Sequence, residues 1–201
     1  MRRSLAVFVL ALVVTGCQSF TMLQTPVPVA PGHVTAGIGA AVPVSKGDAG
    51  VFPEVSARIG LTSWADAGVK MSLGGMLLVD GKVQWVEAPI HLATDLGWSY
   101  HHWSGGSGNS TSITTIGWYP AVMIGDDHWY AGLRGTYIAT TGQFDFFETQ
   151  SVNGHQWICS DLFVGASIGG SFRVLPEFNF YKFKGSGKVT VVPAFGFQLN
   201  L

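Results

Sequence analysis

The sequence predicts an all-β chain, an antiparallel up-and-down barrel whose strands cross a membrane. Three observations carry this. Charged residues make up 11% of the 201-residue chain, against about 25% in typical soluble domains. Beyond the N-terminal segment the chain lacks the run of roughly 18 apolar residues that a membrane helix needs. Apolar and polar residues instead alternate with a period of two, which puts them on opposite faces of a strand. The net charge of −1 gives no electrostatic footprint for nucleic acid.

The N-terminal segment comes first in the chain and is different in kind. Arg2 and Arg3 form a short basic start, and Leu5 to Val14 run without a charge. This is the n-region and h-region of a secretory signal, too short to span a bilayer. Val14-Thr15-Gly16-Cys17 follows. A branched apolar residue, two small residues and Cys at the end of an h-region resemble the lipobox of bacterial lipoproteins. The resemblance implies a diacylglycerol on the Cys17 thiol, cleavage between Gly16 and Cys17, and acylation of the new amino group. Residues 1–16 are then the signal peptide. Gln18 stands where an Asp retains many lipoproteins in the inner membrane, so the resemblance implies an outer-membrane destination. The covalent lipid on Cys17 is the only attached group expected; no cofactor is. With Cys17 lipidated, Cys159 has no partner for a disulfide or a Cys-based zinc site, and reads as a small buried or membrane-facing hydrophobe.

Residues 17–32 hold Pro26, Pro28 and Pro31 and show little periodicity. They read as an extended tether from lipid to barrel, with a reach of some 50 Å at about 3.3 Å per residue. Residues 33–201 are the barrel domain. Val55, Ala57, Ile59 and Leu61 oppose Glu54, Ser56, Arg58 and Gly60. Val69, Met71 and Leu73 oppose Lys70, Ser72 and Gly74. Ile90, Leu92, Leu96 and Trp98 oppose His91, Asp95, Gly97 and Ser99. Leu162, Val164, Ala166 and Ile168 oppose Asp161, Gly165, Ser167 and Gly169. Val191, Phe195, Phe197, Leu199 and Leu201 oppose Ala194, Gly196, Gln198 and Asn200.

Turn signals divide these runs: Ser63 to Asp66, the pair Asp80-Gly81, Glu87 to Pro89, Ser104 to Ser110, Gly125 to Asp127, a long polar-aromatic loop from Thr141 to Gln156, and Lys184 to Gly187. Ten strands result, near 33–43, 52–62, 67–79, 82–87, 90–101, 111–124, 129–140, 157–170, 172–183 and 188–201. An even number puts both ends of the barrel on one side; the 82–87 strand is the least marked, so eight or twelve strands stay open. With that side periplasmic, the tight connections lie inside and the loops at 102–110 and 141–156 outside. Trp64, Trp85 and Trp129 then fall near the inner turns, and Trp98, Tyr100, Trp103, Tyr137 and Trp157 near the outer loops, as two interfacial belts.

On these residues, including the segments Pro53–Ala67 and Ala88–Tyr100 and the alternating C-terminal stretch, the region 33–201 resembles small outer-membrane β-barrel proteins of Gram-negative bacteria. The resemblance implies outer-membrane lipids and the barrel-assembly machinery as partners. Such barrels usually end in Phe; here Leu201 stands last, with Phe195 and Phe197 on the same face.

A transmembrane barrel turns Glu54, Arg58, Lys70, Asp95, Arg134, Asp161 and Glu177 into the lumen, where charges of both signs should pair. A filled lumen without an open pore, and a structural, surface or binding role, are the expectation. The alternatives are a narrow transport channel, a soluble periplasmic lipocalin-like barrel with its apolar face inward around an apolar ligand, and a lipid-modifying enzyme. For the enzyme, His102-Trp103-Ser104 resembles the His-x-Ser of outer-membrane lipid A deacylases, but Gly105 follows where that family has Asn. The next carboxylates, Asp126 and Asp127, lie across the membrane in this topology, and no catalytic site is expected. His91 and Asp95 are about 13 Å apart on a strand face, and His101 and His102 point opposite ways, so no metal site is expected. Asp126-Asp127-His128 reads as a solvated turn. Phe144, Phe146 and Phe147 make the loop 142–156 a candidate contact for a surface or envelope partner.

Overall fold

The computed structural model describes residues 21–45, 48–72, 75–105, 111–145, 149–184 and 187–201. Ten long strands form one closed ring: β1 Val34–Ala41, β2 Phe52–Thr62, β3 Ala65–Ser72, β4 Leu77–Val86, β5 His91–Gly105, β6 Thr111–Gly125, β7 Trp129–Asp145, β8 Thr149–Ala166, β9 Phe172–Phe183 and β10 Val189–Asn200. Each pairs antiparallel with its neighbour in sequence, and β1 closes the ring against β10 from Thr35↔Asn200 to Ala41↔Ala194. The only other strands among the described residues are two-residue pieces, 44–45 with 48–49 and 168–169 beside β9. The expected up-and-down topology of ten strands is the one found.

The apolar faces point outward. Val55, Ile59, Val69, Leu96, Leu133, Leu162, Val191 and Phe195 are exposed, while Glu54, Arg58, Lys70, Asp95, Arg134, Asp161 and Glu177 are buried. This is the reverse of a lipocalin-like soluble barrel, whose apolar residues line the inside. An apolar outside on a ring without free edges satisfies the two demands of a bilayer, buried apolar surface and paired backbone groups.

Aromatic side chains mark the limits of that apolar band. Trp64, Trp85 and Trp129 are exposed at the end bearing the tight connections. At the other level Trp98 pairs with Trp118, Trp118 with Tyr137, and Tyr137 with Trp157, a row across four neighbouring strands. The sequence reading missed Trp118 because it sits mid-strand, away from any loop. From Trp129 to Tyr137 the strand covers about 26 Å, or roughly 20 Å along the normal at 35–45° tilt, close to the expected apolar height of about 25 Å.

Two connections differ from the sequence reading. Asp80-Gly81 is not a hairpin; it lies inside β4, opposite Gly68 and Ala67 on one side and Gly97 and Leu96 on the other. The chain instead reverses between Ser72 and Leu77, where Gly75 takes φ +85° and its N–H donates to Ser72 O at 3.0 Å. Moving the turn keeps the alternation unbroken, with Leu77 and Val79 outside and Leu78 and Lys82 inside. The connection after β2 is also shorter than the expected 63–66, so that Asp66 is a strand residue facing the lumen. Likewise the expected loop 141–156 is mostly strand: β7 and β8 pair up to Asp145↔Thr149. Phe146 and Phe147 lie outside the described residues.

The barrel wall is uneven. β1 to β4 have 8 to 11 residues, near the ~9–11 a membrane strand needs. β5 to β8 have 15 to 18, and their surplus lies beyond the aromatic row. At the opposite end the turn 126–128 is fixed by Asp126, which accepts from the backbone N–H groups of His128 and Trp129; these hold its carboxyl below the usual carboxylate range.

Leu133 is 62% exposed, midway between Trp129 and Tyr137. Leu133→Arg is expected to cost about 2–4 kcal/mol, the range for a cation at the midplane of a barrel's lipid face. Urea titration of folding into lipid vesicles measures this. A loss under 0.5 kcal/mol would place that face outside the membrane.

Candidate functional site

Among the described residues the lumen holds six carboxylates, Glu54, Asp66, Asp80, Asp95, Asp161 and Glu177, and four cations, Arg58, Lys70, Lys82 and Arg134; all the carboxylates but Glu177 lie within 4 Å of a cation. Strand alternation puts them there, since each occupies an inward position between outward apolar or small residues. Arg58 on β2 bridges Asp66 on β3 and Asp80 on β4, with Asp95 on β5 at 3.8 Å. Lys82 reaches Asp66 at 3.1 Å, Lys70 reaches Glu54 at 3.4 Å, and Arg134 binds Asp161 at 2.7 Å. All seven charges expected in the lumen are there. Asp66, Asp80 and Lys82 join them; the sequence reading had placed Asp66 in the 63–66 connection and Asp80 in a hairpin, with Lys82 next to it.

The expected tether is also in the lumen. Residues 21–32 do not hang below the barrel as a spacer; they run up its inside. Gly32 N–H donates to Gly60 O at the turn end. Val29 N–H donates to Asp66 at 2.9 Å. Lys82 donates to the carbonyls of Thr25 at 2.8 Å and Val27 at 3.1 Å. Gln24 Nε2 donates to Asp95 at 2.9 Å. Highest of all, Thr21 donates from its hydroxyl to Glu54 at 2.6 Å, and its carbonyl accepts from Lys70 at 2.8 Å and Arg134 at 3.0 Å.

Glu177 shows why the segment belongs there. The salt bridges of the described residues leave it without a cation, and it is 1% exposed. Its two oxygens accept instead from Met22 N–H at 2.8 Å, Leu23 N–H at 2.7 Å, Tyr130 O–H at 2.9 Å and Asn179 Nδ2 at 2.9 Å. Two of the four donors are backbone amides of the threaded segment. A buried carboxylate that lost them would keep its desolvation cost without the compensating bonds.

Small inward residues make room for the segment. A Cβ on Gly39 of β1 would lie 2.4 Å from Leu23 Cδ1, and one on Gly60 of β2 would lie 2.1 Å from Ala30 O. Beside Leu23 and Gln24 the remaining cavities have about 10 and 20 Å³, about the size that holds one water. A larger one of about 270 Å³ lies at the turn end, among Pro28, Ala30, His33, Arg173 and Asn200.

The other sequence candidates stand apart. His102 is exposed near the outer end of β5 and bonds Thr114 Oγ1 at 3.0 Å; Asp126 and Asp127 are at the opposite end of the barrel, and the side chain of Ser104 lies outside the described residues. His91 bonds Gln84 at 2.9 Å rather than Asp95. His101 faces inward and His102 outward. Among the described residues no three His, Cys, Asp or Glu side chains form a metal-holding group. Cys159 is buried in the lumen with Ala41, Tyr181, Val192 and Ala194. Cys17 lies outside the described residues.

Comparison with known proteins adds a family model for the prokaryotic membrane lipoprotein lipid attachment site, which matches residues 1–18 and so includes Cys17. No curated protein matches the chain. Among solved structures, neisserial surface protein A is similar at TM-score 0.33 and 11% identity, over 84% of this chain and 96% of that one. The N-terminal β-barrel domain of OprF from Pseudomonas aeruginosa follows at 0.31 and 12%, over 83% and 97%. Ail, the attachment invasion locus protein of Yersinia pestis, gives 0.28 and 8%, over 84% and 97%. At these scores the likenesses carry no functional argument. The class is defined by the molecule's own features: a closed antiparallel β-barrel of the membrane type, apolar outside and charged within, preceded by a lipoprotein lipid attachment segment.

Two variants test the threaded lumen. A Cβ on Gly196 would lie 3.4 Å from Leu23 Cγ, near the separation of a Cβ from the partner sulfur in a disulfide. Leu23→Cys with Gly196→Cys, in a Cys159→Ala background, is expected to cross-link in the folded lipoprotein, read as a mobility difference on non-reducing gels. Glu177→Ala is expected to destabilise the barrel by about 3–5 kcal/mol in urea titration, because it strips an acceptor from four buried donors. A cost under 1 kcal/mol would mean the segment is held without it.

Proposed function

We propose that this protein is a closed, non-conducting outer-membrane lipoprotein that stoppers its own barrel and presents a raised surface hairpin to a partner outside the cell or in the envelope. The observation that carries the reading is the occupied lumen, where a chain hydrogen-bonded from Thr21 to Gly32 takes up the space a pore would need. The reading is non-enzymatic and calls for no cofactor beyond the lipid on Cys17. The uneven wall supports the presenting role. β7 and β8 continue about eight residues past the aromatic row, and the outer ends carry polar, exposed positions such as His102 and Thr141 rather than the apolar residues of the band below. Outer-membrane lipids and the barrel-assembly machinery are the partners this reading requires for insertion.

The first test is electrical. The purified lipoprotein in planar bilayers is expected to give no conductance steps above background, and a variant lacking residues 21–30 is expected to give them. Porin-like steps from the intact protein would sink the closed reading in favour of a channel. The second is adhesive. Replacing residues 142–152 by Asn-Gly joins Thr141 to Asn153, which are cross-strand partners, by a two-residue hairpin turn. The shortened protein is expected to fold and to lose binding to cells or matrix. Unchanged binding would remove the hairpin from the function.

A further inference from the structure

The threaded segment has a direction, and the direction bears on where the lipid goes. Pro31 and Gly32 lie beside Gly60, next to the turn that ends β2. Thr21 bonds Glu54, near the other end of the same strand. Between Gly60 and Glu54 the wall rises by six residues, about 20 Å. The segment therefore climbs from the turn end toward the end bearing the hairpins 105–111 and 145–149, with its N-terminal side uppermost.

Thr21 and Cys17 are only four steps apart along the chain, with three residues between them. Fully extended, these steps reach about 14 Å. The way back to the turn end is about 20 Å, through a lumen the segment already fills. The way up is shorter. Glu54 and Lys70, which hold Thr21, are each two residues from the ends of β2 and β3, at Phe52 and Ser72, so the rim is about 7 Å further on. This is also the low side of the wall. β1 to β4 stop there, while β5 to β8 continue upward. Outside the low rim the residues are apolar and exposed: Val51, Phe52, Val55, Met71 and Leu77. Acyl chains passing over this rim meet an apolar surface at membrane level, whereas the lumen around Thr21 is lined by Glu54, Lys70 and Arg134.

We propose that the lipid on Cys17 is anchored in the outward leaflet, over the low rim formed by β2 and β3. The protein thus carries its own lipidated N-terminus through its barrel, away from the periplasmic side where the expected tether would have left it. The inference rests on the occupied lumen of the proposed function, and the test separates the two.

The test is thiol labelling of intact cells with a membrane-impermeant maleimide, in a Cys159→Ala background with Cys17 kept for lipidation. Ser19→Cys reports the anchor. Lys184→Cys reports the hairpin end of the barrel and Asp127→Cys the turn end; both positions are exposed. The expected result is that Ser19→Cys labels on intact cells to the same extent as Lys184→Cys, while Asp127→Cys labels only after the outer membrane is permeabilised. Gln18→Cys repeats the measurement one residue nearer the lipid, should Ser19→Cys assemble poorly. If Ser19→Cys and Gln18→Cys label only on permeabilisation, together with Asp127→Cys, the outward anchor is overturned. The Leu23–Gly196 cross-link then tells the two failures apart. A cross-linked protein with a periplasmic Ser19 loses the anchor and keeps the stoppered lumen; a protein that never cross-links loses both.

Discussion

The interior of this barrel turns on a buried carboxylate that no salt bridge of the described residues reaches. Glu177 sits in a ring of strands at 1% exposure, where an isolated charge is far more costly than at a surface. The structure meets that cost with dipoles: two amides of the N-terminal segment, a tyrosine hydroxyl and an asparagine amide. The cations work the other way. Lys70, Lys82 and Arg134 each donate to a carbonyl of the same segment in addition to their carboxylate. The segment's backbone thus serves both signs, with N–H groups turned to acids and C=O groups to bases. An extended chain can do this because its donors and acceptors alternate along its length, with no partner strand to absorb them.

That role explains why residues 21–32 are irregular without being loose. A regular strand would spend its amides on neighbours in the sheet. Pro26, Pro28 and Pro31 have no N–H to lose and hold the chain extended, and the carbonyls of Thr25 and Val27, each just before a proline, accept from Lys82. A barrel of eight strands has an interior that side chains alone can fill. Ten strands leave more space, and here a length of chain fills it, seated against Gly39 and Gly60 where a side chain would collide with it.

The strands and their faces were legible in the sequence because a period of two is local: Glu54 and Arg58 between Val55, Ala57 and Ile59 can face only one way relative to them. The turn after β3 was not. Gly74-Gly75 and Asp80-Gly81 are rival turn signals, and local rules favour the second. The contest is decided across the barrel, where Asp80 is needed opposite Arg58, and no window of sequence contains both. The threaded segment was hidden for a related reason. Its partners are backbone groups, which every residue has. Two signs were nonetheless present: more inward acids than bases, and glycines at inward positions 37, 39 and 196 of the first and last strands, leaving a groove with nothing in the sequence to fill it.

Those glycines also constrain how the molecule can assemble. The ring closes where β1 meets β10, and Leu23 lies against that seam, beside Gly39 and Gly196. A segment entering a finished ring would have to draw its charged partners apart one level at a time. On the outward-anchor reading it would also have to pull acyl chains past Arg58, Lys82 and Arg134. A segment already lying along β2 and β3 meets neither obstacle. Asp66, Lys70 and Lys82, which bind it, come from the first part of the barrel sequence, and Glu177 comes from the ninth strand, near the end. The chain order therefore suits a route in which the early strands collect the segment and the last two fold over it. Closing the seam and satisfying Glu177 then become one event, and a barrel that closed without its segment would hold an unanswered charge at the point of closure.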